Sequence, residues 1–512
     1  MTNKKKKIII IGGGISGMTA GIYALENGYD VTIYEKHSII GGQCTGWYRQ
    51  GVFIDGCAHW IVGTNPTSSL YPLWKHIGAF DENSNIYDTE YFCKYDIDGT
   101  IITFYADLEK LEQELVRVAP EDKKQIRRFI NGIKAYRFVS IPTKMPLDHM
   151  NIFKLCAYGL SMFPMLFHFA KYKHMSVYEY SRRFKSEILR KLFTRFMNKD
   201  YNIHSMVYIM RSLSLKDAGV VEGGSLKLAY KIKDTFVKKG GNIYTNAEVD
   251  KVLIDNDKAI GVKFKNGDVE YSDYVISSCD AYHTMYHLLD NKYEDKYFKE
   301  RFSDRKTNPL STSVLLSYKV NKILNNYPKM TNFKINPVDL GPQKIKYITI
   351  RNHSFDKTLN KDNTTITVLI NTIDEVYDYL NDLDKHSYNA IKNEFGIKIK
   401  KEIINYLNLN ESDISLIDVA TPLTYARYTN AYRGSYMSFI TTKKSKGLMR
   451  KGLVKGLSNF VMAGQWMMSP GGLPIALFTG KHAAMRIAKM DKKKFIDLDE
   501  DNLKANYAKK MV

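Results

Sequence analysis

The stretch Lys7-Ile8-Ile9-Ile10-Ile11-Gly12-Gly13-Gly14-Ile15-Ser16-Gly17-Met18-Thr19-Ala20-Gly21 decides the fold. Four consecutive isoleucines are apolar on both faces, the pattern of a buried parallel strand. The strand stops at glycine, and Gly12, Gly14 and Gly17 give the spacing G-x-G-x-x-G. The first glycine permits a tight turn. The second lets a pyrophosphate approach the backbone, and the third lets the next helix pack close to the strand. That helix starts near Ile15, so the free N–H groups of Ile15, Ser16 and Gly17 and the positive dipole end face the phosphates.

The context agrees with this reading. A helix from Ile15 to Asn27 stops at Gly28, a residue suited to ending it. The strand Asp30-Val31-Thr32-Ile33-Tyr34 follows and ends in Glu35, 18 positions after Gly17 (35 − 17). A ribose-binding carboxylate belongs at that place. The competing reading is a glycine-rich turn without a ligand. Strand, turn, helix, strand and acid in this order favour a dinucleotide site.

Lys36 comes next, then Gly41-Gly42-Gln43. Here the chain resembles the large family of FAD-dependent oxidoreductases that includes amine oxidases and phytoene desaturases. The resemblance gives Glu35 to the adenosine ribose. It gives Gly41 and Gly42, between Lys36 and Gln43, to the backbone beside the pyrophosphate and flavin. Spacing implies a dinucleotide, and the resemblance supplies FAD as the cofactor.

Two later segments carry the same resemblance. A Gly-Gly-Ser loop at Gly223-Gly224-Ser225, a helix from Leu226 to Lys239 and strands at 242–245, 248–255, 259–265 and 269–277 form one unit. Its Glu248-Val249 position resembles the one whose backbone, at Val249, holds the adenine. Near the end, the strand 459–463 leads into Gly464-Gln465-Trp466, then Pro470-Gly471-Gly472-Leu473-Pro474 and a helix from Ile475 to Lys489. This is similar to the family's closing segment, with Gln465 where an aspartate is usual. Gly464, Gln465, Gly472, Leu473 and Pro474 are thereby implied in flavin binding. Pro474 suits a helix start, and the dipole of that helix would stabilise negative charge on a reduced flavin.

Between these segments the resemblance is mainly one of layout. Cys57 stands where the family has glycine in a D-x-G pattern at Asp55-Gly56-Cys57, and His59 follows. Both are candidates for lining the reactive face; each is also a common kind of core residue. Thr421-Pro422-Leu423-Thr424-Tyr425-Ala426-Arg427-Tyr428 resembles a family T-P-x-T-x-x-R-Y segment. That places Tyr425, Arg427 and Tyr428 near the flavin, while pairing of Arg427 with a buried acid is the alternative. Elsewhere the pattern predicts a hairpin of 91–96 and 100–104, a helix over 107–119, strands at 313–320, 347–351 and 364–371 flooring a substrate cavity, and a helix over 390–407.

Composition narrows the partners. The chain has 512 residues, 44% hydrophobic and 25% charged, with a formal net charge of +21. That length exceeds one simple core. The positive charge fits an anionic partner or a lysine-rich solvated surface; no nucleic-acid motif is visible, so no nucleic-acid partner is expected. Five cysteines without a C-x-x-C speak against a disulfide framework and a disulfide-reductase flavoenzyme. No metal-ligand spacing occurs, so no metal is expected. The lysines at 4–7 precede only four apolar residues, too few for a signal peptide, and no stretch reaches the ~18 apolar residues of a spanning helix.

The run from Ile152 to Phe167 is apolar but broken by Pro164, and Lys171, Lys173, Arg182, Arg183, Lys185, Arg190, Lys191, Arg195 and Lys199 follow. Two readings stay open: a surface that dips into an anionic membrane leaflet, or a lid of the substrate domain. Either implies an apolar substrate tunnel.

The expected fold is α/β: a Rossmann-type FAD-binding domain with a discontinuous α+β substrate domain. The first comprises 1–70, 215–285 and 452–495; the second comprises 71–214 and 286–451, with the candidate membrane-contacting segment at 150–200. The expected activity is hydride transfer at C–C or C=C bonds of a long apolar substrate: a carotenoid, retinoid or unsaturated fatty acyl chain. The alternatives are a redox-neutral double-bond isomerase or hydratase using FAD, and a non-enzymatic lipid- or membrane-binding flavoprotein. The expected location is cytoplasmic, with peripheral membrane contact as a candidate, and the electron partner stays open.

Overall fold

The computed structural model describes residues 4–57, 60–81, 83–359, 362–445 and 449–498. The isoleucine strand β1 (Lys7–Ile11) is the middle of a five-stranded sheet with order Asn242–Tyr244, β2 (Asp30–Tyr34), β1, Tyr274–Ser277, Phe460–Met462. All its pairings are parallel. Alternation of side chains along β1 sends Ile8 and Ile10 into one core and Ile9 and Ile11 into another. The first core is a helical layer that includes α1 (Ile15–Glu26) and the helix Leu473–Met490. The second lies under a three-stranded antiparallel sheet of Val249–Asp255, Lys258–Phe264 and Val269–Tyr271.

The other large sheet has seven strands in the order Ile414–Ala420, Thr312–Val320, Thr364–Thr372, Gln343–Asn352, Met330–Leu340, Tyr91–Ile97, Thr100–Tyr105. It is antiparallel except where Met330–Leu340 meets Tyr91–Ile97. Helix Lys385–Leu407 packs on it through Phe395, Ile399 and Ile403. A helical cluster around Phe129, Leu192, Phe193 and Met206 forms a further core beside its Tyr91–Tyr105 end.

Several elements differ from the sequence expectation for local reasons. The expected strand 269–277 is two strands in two sheets. Asp273 breaks it by accepting the Lys7 N–H at 2.8 Å through its side chain and donating to the Lys7 carbonyl at 3.0 Å. Helix 390–407 begins earlier, at Lys385, because Asp384 caps it by accepting from His386 N and Ser387 N at 2.8 and 3.1 Å. Met330–Leu340 was not expected, since Asn336-Pro337 interrupts its pattern. The structure absorbs the proline in a register shift between Lys334 and Val338. Tyr71–His76, beyond the expected edge of the first domain at residue 70, is a helix whose Leu73 and Trp74 pack in the same core as α1.

The apolar run forms two helices, Ile152–Ser161 and Phe163–Tyr172, bent by 70° at the break before Pro164. Among the described residues no single helix is long and apolar enough to cross a membrane; this bent pair passes that test only when taken together.

The α1 helix and Leu473–Met490 touch at glycine. A Cβ at Gly480 would lie 2.5 Å from the Ser16 carbonyl oxygen and 2.8 Å from Thr19 Cβ. Gly480→Ala should destabilise the protein, because overpacking of about 1–3 kcal/mol exceeds a helix-propensity gain of about 1 kcal/mol. Gly159→Ala, where nothing lies within 4 Å, should be neutral or stabilising. Thermal unfolding of the two variants checks this; equal melting temperatures would refute the close-packing argument.

Candidate functional site

The loop between β1 and α1 is built for close approach. Gly12 takes φ +99° and donates its N–H to the Tyr34 carbonyl at 2.8 Å, fixing the turn against β2. Gly41 N–H donates to the Gly13 carbonyl at 2.9 Å, and Gly14 bridges Gly41. A Cβ on Gly42 would come within 3.3 Å of Gly14 Cα, and one on Gly41 within 2.4 Å of the Cys44 carbonyl oxygen. The cradle is therefore free of side chains, and the first turn of α1 opens onto it. Its donors and shape fit a pyrophosphate. Gly17 lies behind the loop, where a Cβ would stand 2.1 Å from the Gly12 carbonyl oxygen, so its lack of a side chain lets helix and strand pack.

Glu35 ends β2 with its carboxylate over the loop. One oxygen accepts Gly13 N–H and the other His37 N–H, each at 2.8 Å. Burial raises its pKa, opposed by those two hydrogen bonds. Lys36 reaches away from the loop, donating to the Arg427 carbonyl at 3.1 Å. This ties the helix Pro422–Thr429 to the cofactor side.

The opposite wall comes from the end of the chain. Gly464 and Gly472 have φ of +117° and +97°, and Leu473 and Pro474 open the last helix. Gln465 Nε2 donates to Gln43 Oε1 at 3.0 Å, and Gln43 Nε2 donates to the Ser435 carbonyl at 2.7 Å. Gly472 N–H donates to Gln465 Oε1 at 3.2 Å. A neutral amide can accept and donate at once, which an aspartate at 465 could not. Two glutamines thus clip three distant segments around one opening.

Gly12, Gly14, Ile15, Ser16, Glu35, Lys36, Gly41, Gly42, Gln43, Val249, Gly464, Gln465, Gly472, Leu473 and Pro474 all border one cavity of about 1400 Å³. This exceeds the ~300–1,000 Å³ of an ordinary ligand pocket and leaves room beyond a dinucleotide. Its further half is floored by Ser313, Leu315, Thr349 and Leu369 of the seven-stranded sheet and reaches Tyr158, Met162, Met165 and Phe169 of the bent helix pair.

Cys57, Tyr425 and Arg427 also border the cavity; His59 lies outside the described residues. Tyr425 is buried, which raises its hydroxyl pKa. The alternative expectation for Arg427, pairing with a buried acid, is not met. Its side chain is exposed and stacks on the Tyr428 ring at 4.7 Å, because the residue sits near the exposed end of a short helix.

The sequence reading passed over other cavity residues. Asp280 follows the strand Tyr274–Ser277 and accepts N–H bonds from Tyr282, His283 and Tyr432 at 2.8, 3.2 and 3.0 Å. Burial lifts its pKa to about 6. The signal for it was present, since ligands gather at the carboxyl ends of parallel strands. Tyr136 and His204 also border the cavity, with Tyr136 Oη hydrogen-bonded to His204 Nδ1. His204 Nε2 lies 3.2 Å from the Phe169 carbonyl, and burial lowers the imidazole pKa to about 4. They come from segments 68 residues apart, so no motif joins them.

Similarity to known proteins accords with this geometry. A phytoene desaturase (neurosporene-forming) of Cereibacter sphaeroides is 29% identical over 312 residues, 58% of this chain and 58% of that protein's length. A 4,4'-diaponeurosporene oxygenase of Staphylococcus aureus is 22% identical over 94% of this chain and 98% of its own. A redesigned putrescine oxidase shares the fold, with a TM-score of 0.61 at 13% identity over 95% of this chain and 99% of that one. The profile of the family described as flavin containing amine oxidoreductase matches residues 15–488. With the glycine cradle, Glu35 and the closing helix arranged on one parallel sheet, the chain belongs to the flavin containing amine oxidoreductase family, and its cofactor is FAD.

Proposed function

We propose that this protein is an oxidoreductase acting on C–C or C=C bonds of a long apolar substrate, of the polyene or unsaturated acyl kind. The observation that carries the reading is the single cavity joining the glycine cradle to the bent apolar helix pair. Bound FAD supplies the hydride-level chemistry. The chain's own residues bind and orient. Gly14, Gly41 and Gly42 let the pyrophosphate reach backbone N–H groups. Glu35 accepts ribose hydroxyls on the free lone pairs of its carboxylate. The last helix, opening at Leu473 and Pro474, offers its positive end to negative charge. Tyr425 and the apolar floor align the chain of the substrate and exclude water. Two relatives whose names mention carotenoid-type compounds support this substrate class.

A second reading, a redox-neutral isomerase or hydratase, draws support from the Tyr136–His204 pair. A buried hydroxyl hydrogen-bonded to a neutral imidazole is suited to moving a proton, and a hydride transfer alone does not need one there.

We also propose that the bent helix pair rests on an anionic bilayer. Phe153, Leu160, Phe163 and Phe167 are 81%, 73%, 68% and 78% exposed. Exposed cations at Lys154, Lys171, Lys173, Arg182, Arg183 and Lys185 lie within and just after them along the chain. The same pair turns Tyr158, Met162, Met165 and Phe169 toward the cavity. Apolar surface outside and cavity lining inside would give a bilayer-dissolved substrate a path that avoids water.

Three measurements test these readings. Glu35→Ala should weaken FAD binding about 10- to 100-fold, the size of a lost charge-assisted hydrogen bond; reconstitution followed by flavin fluorescence checks it, and an unchanged affinity would remove the ribose role. Anaerobic incubation with polyenes and unsaturated fatty acids should bleach the flavin band near ~450 nm with one class. Product without lasting bleaching would select the redox-neutral reading, and no turnover of any apolar substrate would overturn both. Flotation with phosphatidylglycerol vesicles at low salt should capture the protein, and Phe153→Ser/Phe163→Ser/Phe167→Ser should abolish capture, at roughly 1.5–3 kcal/mol per phenylalanine. Equal flotation of the triple variant would rule the helix pair out as the contact.

A further inference from the structure

Cys44 and Cys57 are 13 residues apart (57 − 44) and belong to no C-x-x-C motif. The hairpin between them brings them to the same end of one strand pair. Strands β3 (Gly46–Arg49) and β4 (Val52–Asp55) pair Gly46 with Asp55, Trp47 with Ile54, Tyr48 with Phe53 and Arg49 with Val52. The ladder continues one rung past Gly46, where Gly56 N–H donates to the Thr45 carbonyl at 3.0 Å. Cys44 and Cys57 are the next residues along each strand beyond that hydrogen bond. Adjacent positions on paired antiparallel strands lie close together, so this hydrogen bond holds the two cysteines at the same end of the hairpin.

The side chains follow the register. Both cysteines border the cofactor cavity. Their settings differ. Cys44 is 1% exposed and also donates to the Ser225 carbonyl at 3.6 Å. Its contact with Cys57, then burial, pushes its thiol pKa well up. Cys57 is half-buried and meets the cavity in front of it. One accessible thiol with a protected second thiol behind it is the arrangement of an attacking and a resolving cysteine. The other three are placed differently: Cys93 is buried in the helical cluster's core, Cys156 is exposed on the bent helix pair, and Cys279 donates to the Ile11 carbonyl at 3.4 Å.

We propose that Cys44 and Cys57 are a reversible redox pair in the wall of the cofactor cavity, closing to a cross-strand disulfide by exchange with a small soluble disulfide. The Cys57 thiolate attacks one sulfur of the incoming disulfide, releasing one thiolate and leaving a mixed disulfide on Cys57. Cys44 gives up its proton and attacks Cys57 Sγ, expelling the second thiolate. Two protein thiols are oxidised, one soluble disulfide is reduced to two thiols, and the two protons from the protein leave on those products. No electrons pass to or from the flavin. Closure draws Cys57 toward the Gly41–Gln43 loop, so the state of the pair sets the shape of the wall beside the cofactor cradle. The pair stands whatever the apolar substrate proves to be.

The test is a thiol count on the FAD-loaded protein across glutathione redox buffers. Samples are quenched in acid, denatured, alkylated and weighed intact. The reduced protein should take five labels, one per cysteine, and the oxidised protein three, with Cys44 and Cys57 joined in the peptide map. Dithiothreitol should restore all five. Cys44→Ser should trap glutathione on Cys57, Cys57→Ser should show no loss of paired labels, and Cys93→Ser should still lose two. Five labels at every buffer poise, or a lost pair that maps to other cysteines, would overturn the proposal. A bond that dithiothreitol cannot reopen would overturn its reversibility.

Discussion

Backbone meets backbone at the centre of this protein, with no side chain between. Gly41 N–H reaches the Gly13 carbonyl at 2.9 Å, and Gly42 lies so close to Gly14 that a Cβ would sit 3.3 Å from its Cα. That contact locates the loop after β2, and much else depends on where the loop goes. Gln43, the next residue, reaches Gln465 and through it the start of the last helix. Cys44 follows and opens the hairpin that forms one wall of the cavity. A bulkier residue at 41 or 42 would displace the phosphate cradle, the glutamine clip and the hairpin together.

The site divides labour between two sheets. The parallel sheet presents helix N-termini and strand ends, which suit phosphates and a flavin. The seven-stranded sheet presents a broad floor bordered by small, aliphatic and aromatic side chains, with the amphipathic helix pair at its far side. Positive charge is abundant, at +21 formally, yet many cations are engaged in ion pairs such as Arg433 with Asp374 and Asp378 and Arg486 with Asp148. The cations around Phe163 are notable for their neighbours. Along the chain they flank large exposed apolar side chains.

Expectation and structure agree best where the signal is local. The helix over 107–119 appears as Leu108–Val118, capped by Asp107, and the hairpin over 91–104 turns at Asp98-Gly99. They diverge where one residue changes partners. Arg427 shows the limit of a motif: the sequence gives its neighbours along the helix, but only the folded chain shows that its guanidinium faces outward onto Tyr428.

By itself, the sequence determined the nucleotide-binding half. Strand, glycine turn, helix, strand and acid are consecutive, and each requirement is met within about thirty residues by backbone freedom, periodicity or charge. Only the tertiary structure decided the rest. The Gln43–Gln465 clip joins residues 422 apart, and the Tyr136–His204 pair joins residues 68 apart. The Cys44–Cys57 contact depends on a hairpin register that no spacing rule encodes. Such contacts arise when separate segments are packed against one another, so their chemistry belongs to no single stretch of sequence.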